Sequence, residues 1–217
     1  SAPALADAME LFRPYAEAGR EIVCFSISPG MSTSGNVMRL AAEELGASDR
    51  IKVIDSANLS TGIGLLVVEA AIMAKNNRTA SQIVSEIERL KPNVRASFVV
   101  DTLTYLYRGG RCNAVAAMAG GVLKLHPRIV VEDGAMNASK KYRGKIASVV
   151  MNYVKDMEKD LKKARPERVF ITHSGCEQET VEKVRAYLKE LDIFDEILET
   201  RAGGVVSSHC GPGTLSV

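Results

Sequence analysis

Three stretches of this sequence carry residue types that could do chemistry. The first is the loop Ser28-Pro29-Gly30-Met31-Ser32-Thr33-Ser34-Gly35. It follows a short apolar run and precedes a helical pattern, and ligands bind at such strand-to-helix edges in open α/β sheets. The hydroxyls of Ser28, Ser32, Thr33 and Ser34, with the free N–H groups of a helix start, suit an anion. The same hydroxyls suit helix capping, and one can cap while another binds. No Gly-Lys-Ser/Thr follows and no Gly-x-Gly-x-x-Gly is present, so neither nucleotide fingerprint applies. The second stretch is Ser207-Ser208-His209-Cys210-Gly211-Pro212-Gly213. Its Gly-Pro-Gly turn constrains the chain at His209, whose imidazole can donate to a carboxylate or phosphate, more strongly when protonated. The third comprises two basic clusters, Arg108-Gly109-Gly110-Arg111 and Lys140-Lys141-Tyr142-Arg143-Gly144-Lys145. They read as a solvated face or as a docking patch for an acidic partner or a phosphate. The paired glycines of the first cluster point to unusual backbone there.

Other combinations are weaker. Ser32, His209 and Asp55 supply the types of a hydrolytic triad, which makes a serine hydrolase acting on acyl esters the enzyme alternative. No Gly-x-Ser-x-Gly elbow supports it. His126 precedes Pro127 in an apolar setting and His173 ends a strand-like run. Neither has the His-x-x-x-His or paired-cysteine spacing that a metal needs. Cys24, Cys112, Cys176 and Cys210 are dispersed singly, so no zinc ribbon or redox CxxC exists and reduced cytoplasmic thiols are expected.

Alternating strands and helices must position these loops. Helical patterns cover Leu5 to Ala18, Gly35 to Leu45 and Leu59 to Lys75, and Thr79-Ala80-Ser81-Gln82 is a capping box opening a fourth helix that ends before Pro92. Between them, Glu21 to Ile27 and Ile51 to Ile54 read as buried strands. That alternation predicts a parallel sheet covered on both faces. Beyond Pro92 the pattern changes. Strands are expected at Ala96 to Val100, Arg168 to Thr172 and Glu196 to Thr200, and short helices at Leu103 to Tyr107 and Val115 to Leu123. Arg128 to Val131 and Ala135 to Lys140 flank Asp133-Gly134, a hairpin signal. One long helix is expected from Lys145 to about Lys163, another from Glu179 to Leu191, and the tail from Gly203 is rich in Gly and Ser. We divide the chain into a parallel-sheet α/β domain, 1–92, and a mixed-sheet α/β domain, 93–217.

Composition narrows the partners. The 28 Lys and Arg against 26 Asp and Glu give a net charge of +2, too balanced for a general nucleic-acid binder. Aromatics are 5% with no Trp, which argues against a base-stacking platform. The apolar stretch Ile63 to Ala74 carries Glu69 and is shorter than the roughly 18–20 residues of a membrane span. The start, with Asp7 and Glu10, does not read as a signal peptide.

Taken together, several blocks resemble the DegV family of bacterial proteins. Ile27-Ser28-Pro29-Gly30-Met31-Ser32-Thr33-Ser34 resembles the family's Ile-Ser-Ser-x-Leu-Ser-Gly-Thr. Asp55-Ser56 with Thr61-Gly62-Ile63-Gly64, the run Asp101 to Arg111, Lys141-Tyr142-Arg143-Gly144, and His209-Cys210-Gly211-Pro212-Gly213 match further family blocks in order along the whole chain. The resemblance implies a two-domain lipid-binding fold, the EDD fold, that holds a long-chain fatty acid between its domains. It implies no catalysis and no cofactor of its own, only presentation of the carboxylate to a fatty acid kinase in phospholipid metabolism. It places Ser32 and His209 at the carboxylate, with Ser28, Thr33, Ser34 and Gly211 beside them. Arg108, Arg111 and Arg143 are then expected to face the partner or the phosphate. The small residues from Ala114 to Gly121 suit either tunnel space or close helix packing. Two departures stand out. The family's Gly-Thr after the serine is Thr33-Ser34 here. The family's N-terminal Thr-Ser-x-Pro-Ser block is matched only in its later part by Ser1-Ala2-Pro3-Ala4, so the first sheet is expected to be short of a strand.

Overall fold

The structure is a computed structural model and describes residues 2–111 and 125–217. The helix expected at Val115 to Leu123 and the small-residue run from Ala114 lie outside the described residues. By its contacts the chain forms two units, Ser1–Arg95 with Glu132–Ala135, and Ala96–Val131 with Met136–Val217.

The first unit contains α1 (Leu5–Glu17), β1 (Ile22–Ser26), α2 (Ser34–Glu44), β2 (Ile51–Asp55), α3 (Ser60–Lys75) and α4 (Ala80–Leu90). β1 and β2 pair in parallel, with Ile22 opposite Ile51 and Ser26 opposite Asp55. Successive side chains of a strand point to opposite faces, so a strand covered on both sides reads as continuously apolar. Ile22, Cys24 and Val53 pack with Phe12 of α1 and Ala41 and Ala42 of α2. Val23, Phe25 and Ile54 pack on the other face with Leu66 of α3 and Ile83 and Ile87 of α4. The capping box at α4 forms as read, with the Gln82 N–H donating to Thr79 Oγ1 at 3.3 Å and the Thr79 N–H to Gln82 Oε1 at 3.1 Å. Among the described residues β1 is bonded along one edge only, to β2. A groove of about 370 Å³ borders it, lined by Val23 and Phe25 and by Ala70, Ala71 and Ala74 of α3.

The second unit is built on one mixed sheet in the order β5-β4-β3-β8-β6-β7. Its strands are β3 (Ala96–Val99), β4 (Leu125–Glu132), β5 (Ala135–Arg143), β6 (Arg168–Ser174), β7 (Glu196–Arg201) and β8 (Thr214–Ser216), and its helices α5 (Thr104–Arg108), α6 (Ile146–Asp156), α7 (Glu158–Leu161), α8 (Gln178–Glu190) and α9 (Gly204–Cys210). β3 runs antiparallel to β4 and β8, and β6 antiparallel to β8 but parallel to β7. The core joins Val99, Ile171 and Leu215 of the sheet to Val149, Val150 and Tyr153 of α6 and Val181, Val184 and Leu188 of α8. At the hairpin Asp133 and Gly134 both take positive φ, 50° and 73°, as the favoured two-residue turn requires.

One expectation is corrected here. The long helix from Lys145 is two helices, broken at Met157. That residue sits buried in the core with ψ −10°; its N–H is shared between the Val154 and Tyr153 carbonyls, and the Asp160 N–H reaches back three residues to Met157, which tightens the turn. The Gly- and Ser-rich tail carries two further elements. It forms α9 and then β8, which lies at the centre of the sheet between β3 and β6. β8 is held by backbone pairing and by Tyr153, whose hydroxyl donates to the Ser97 carbonyl at 2.8 Å and accepts the Val217 N–H at 3.2 Å.

The pairings put the C-terminal ends of β3, β5, β6 and β7 and the starts of β4 and β8 at one end of this sheet. The segments holding Arg108, Arg111, Arg143 and His209 all leave from that end. No helix among the described residues is long and apolar enough to cross a membrane.

Candidate functional site

In the first unit the serine loop leaves the C-terminal end of β1 beside the end of β2. Ser56 stitches the two ends together, its hydroxyl lying 2.7 Å from the Ser26 carbonyl it donates to and accepting the Asn58 N–H at 3.1 Å. The Ser28 N–H in turn donates to the Asn58 carbonyl at 3.0 Å. Ser28 itself is buried. Its hydroxyl donates to the Gly134 carbonyl at 2.5 Å and accepts the Gly30 N–H at 3.3 Å. A hydroxyl has one proton, so that of Ser28 is engaged inside the unit.

Ser32 sits one turn further on, its N–H bonded back to the Ser28 carbonyl at 3.2 Å. Its Oγ is 2.8 Å from Ser34 Oγ and accepts the Ser34 N–H at 3.3 Å. Two hydroxyls that share one hydrogen bond leave one proton over, and both residues are only half-buried. Thr33 is the residue preceding α2; its side chain is exposed and makes no capping bond. The loop therefore supplies local capping through Ser32 and keeps a hydroxyl donor beside it. Gly35 is needed for this approach, since a Cβ there would lie 2.7 Å from Ser26 Oγ.

In the second unit His209 occupies the last turn of α9, not the Gly-Pro-Gly turn itself, which begins at Gly211. Its ring rests on the segment after α5. A Cβ on Gly109 would stand 2.1 Å from Nδ1 and 2.7 Å from Cε1, so the Cδ2–Nε2 edge is the one turned away from Gly109. Gly211 combines φ +80° with an equally close approach to the Tyr105 ring, 2.3 Å from a Cβ to Cδ2. The turn is closed by the Gly213 N–H donating to the Ser174 carbonyl at 2.8 Å. Tyr105 and Gly109 thus form a platform for α9 and its cap. Only glycine permits the approach at 109 and 211, which accounts for two of the glycines in the motifs.

Burial holds the His209 imidazole below its usual pKa, and the nearby Arg111 guanidinium pushes it the same way. In the free protein near neutral pH the ring is neutral and offers a single N–H. Arg111 is exposed and donates to the Gly109 carbonyl at 2.6 Å. Arg108 and Arg143 are also exposed, at the same sheet end. Ser28, Ser32, Thr33 and Ser34 thus share one loop of the first unit, and Arg108, Arg111, Arg143, His209 and Gly211 one end of the second.

The other candidates have structural occupations. Asp55 Oδ1 accepts the Ala57 N–H at 2.8 Å. His173 is buried, accepts the Cys176 N–H at Nδ1 and faces Glu199 Oε1 at 3.3 Å, while Arg185 holds the other carboxylate oxygen at 2.6 Å. The thiols of Cys24, Cys176 and Cys210 are pushed up to about 11 by burial, so at neutral pH they are inert hydrophobes. Among the described residues no cluster of three or more His, Cys, Asp or Glu side chains could hold a metal ion. The sequence reading did not find the Tyr105–Gly109 platform. Its only signal was the glycine pair between two arginines.

Comparison with known proteins adds a lineage to this geometry. A sequence model of the DegV family matches residues 1–217. A DegV domain-containing protein of Clostridium perfringens is 33% identical over 213 residues, covering 96% of this chain and 72% of its own. One from Deinococcus radiodurans is 31% identical over 218 residues, covering 100% and 76%. Among solved structures, a DegV family protein from Thermus thermophilus described by its fatty acid binding superposes with a TM-score of 0.88 at 27% identity, covering 100% of this chain and 76% of that one. A stearic acid-binding protein from Eubacterium ventriosum gives 0.83 at 25% identity, covering 100% and 75%.

Proposed function

This chain belongs to the DegV family, and from that premise we propose that it binds a long-chain fatty acid and presents the carboxylate to a fatty acid kinase. The likeness to the fatty-acid-binding Thermus protein, which spans the whole of this chain and 76% of that one, carries the reading. In it, the hydroxyl proton left over at Ser32 and Ser34 and the N–H of His209 meet one carboxylate. Apolar burial supplies the affinity: at about 0.8 kcal/mol per CH₂, a chain of around sixteen carbons offers on the order of 12 kcal/mol before entropy costs. The head-group donors contribute less and fix orientation. Neutral donors hold a carboxylate without neutralising it, which keeps its oxygen nucleophilic toward a kinase-bound ATP. The protein itself forms no covalent bond. Arg108, Arg111 and Arg143 attract the kinase or stabilise the acyl phosphate after transfer. Reduced cysteines fit a cytoplasmic setting.

Mass spectrometry of lipid extracted from the purified protein tests the binding. A bound C16–C18 acid in near-stoichiometric amount is expected; a lipid-free protein that takes up no added oleate would refute it. Acyl-phosphate formation with purified kinase and ATP tests presentation, and unchanged rates for Arg143→Ala would remove Arg143 from the interface. Labelling of Ser32 by a covalent serine probe, with ester turnover, would replace the carrier reading by the hydrolase one.

A further inference from the structure

Both ring nitrogens of the buried His126 face atoms that only accept hydrogen bonds. Nε2 lies 3.0 Å from the Gly144 carbonyl oxygen. Nδ1 lies 3.3 Å from Asp101 Oδ1, and the side chain is 5% exposed. In this geometry Nδ1 completes no hydrogen bond within the described residues. A neutral imidazole has one N–H and one lone pair. Set between two acceptors, it serves one and turns a lone pair on the other. His173 makes the contrast, since its Nδ1 accepts an N–H from Cys176 and its surroundings suit a ring with one hydrogen.

We infer that His126 is a positioning residue, a two-donor clamp that ties the Asp101 end of β3 to the Gly144 connection and thereby fixes the platform under His209. Asp101 opens the segment that carries Tyr105 and Gly109, on which Gly211 and His209 rest. Gly213 packs against it as well, since a Cβ there would lie 3.6 Å from Asp101 Cβ. On the other side Gly144, at φ +122°, directly follows Arg143. One buried ring thus faces both the Asp101 segment and the Gly144 connection, which leave this end of the sheet with candidate ligand or partner residues. The full clamp needs hydrogen on both nitrogens.

What the platform serves rests on the fatty-acid reading; the clamp does not. The test uses the full chain with two substitutions. His126→Lys keeps several donors and no acceptor, whereas His126→Gln offers one donor end and one acceptor end. With oleate as the probe, His126→Gln is expected to weaken binding about tenfold and His126→Lys to stay within about threefold of wild type, thermal melts confirming that both fold. Ring ¹⁵N spectra of the wild type are expected to show hydrogen on both nitrogens of His126. Equal binding by the two variants, whether both normal or both weak, overturns the clamp, and so does a ring that carries a single hydrogen. A wild type that binds no oleate removes the fatty-acid reading instead, and the ring spectrum then decides the clamp alone.

Discussion

The His209 imidazole fills the space that a side chain at Gly109 would need, with a Cβ there falling 2.1 Å from Nδ1. Gly109 has φ −75° and ψ −7°, an ordinary helical conformation open to any residue. Gly109→Ala therefore adds no backbone strain, and the whole effect falls on the imidazole. We expect oleate affinity to drop about tenfold or more, the loss of one buried hydrogen bond to a charged group, with little change in thermal stability. Gly110→Ala is the control. Gly110 has φ +69° with nothing within 4 Å of a Cβ, so it should lose about 1 kcal/mol of stability and keep its affinity. Wild-type binding by Gly109→Ala would show that His209 is not at the ligand.

Ser32 and Ser34 share one hydrogen bond, at 2.8 Å, so either can direct the remaining proton outward. Ser32→Ala removes a donor and also the acceptor of the Ser34 N–H. We expect Ser32→Ala and His209→Ala each to weaken fatty acid binding by about 1–3 kcal/mol. Because both are assigned to one carboxylate, a double-mutant cycle should show coupling. Isothermal titration on the four proteins measures it, and wild-type retention by the double variant would dismiss the head-group assignment.

How legible this was depends on the range of the interactions. The α4 capping box lies within four residues, and the two-sided burial of β1 and β2 is written in consecutive apolar positions, so both were readable locally. β8 was not, because three residues carry no period and their place beside β3 and β6 comes from partners far along the chain. The break at Met157 was hidden for a related reason: methionine is a good helix former, and the turn tightens only where that side chain enters the core. At the site, the serine loop and His209 were visible by type and motif. The service of Gly109 and Gly211 as contact surfaces for His209 and Tyr105 was invisible, since it pairs residues about a hundred positions apart.

His209 also sets a pH dependence. Burial first, and Arg111 second, hold its pKa below the ordinary value. The folded state then binds the proton less well than the unfolded chain. The associated stability is present above the unfolded value near 6.5 and is lost as pH falls through the folded one. A bound carboxylate acts in the opposite sense by favouring the imidazolium. Fatty acid binding should therefore take up a fraction of a proton and tighten as pH drops from neutral toward the folded pKa. His209→Gln should flatten that profile. Arg111→Ala should move the imidazole titration upward, as followed by its ring proton NMR signal. A downward or absent movement would show that Arg111 does not act on this ring.

Ser28 marks the difference between building the loop and touching the ligand. Its N–H and hydroxyl anchor the loop to Asn58 and to the Gly134 carbonyl, the latter at 2.5 Å. Ser28→Ala strands that carbonyl and the Gly30 N–H, which a buried methyl group cannot serve. A cost of about 1–2 kcal/mol is expected, read as a fall of roughly 2–8 °C in the melting temperature for a chain of this size. Below the melting range, affinity for oleate should fall by less than for Ser32→Ala, because the outward donor at Ser32 and Ser34 remains. Paired melting and titration curves separate the two roles. An unchanged melting temperature with an affinity loss equal to that of Ser32→Ala would make Ser28 a ligand group, and its proton would have to leave Gly134 for the carboxylate.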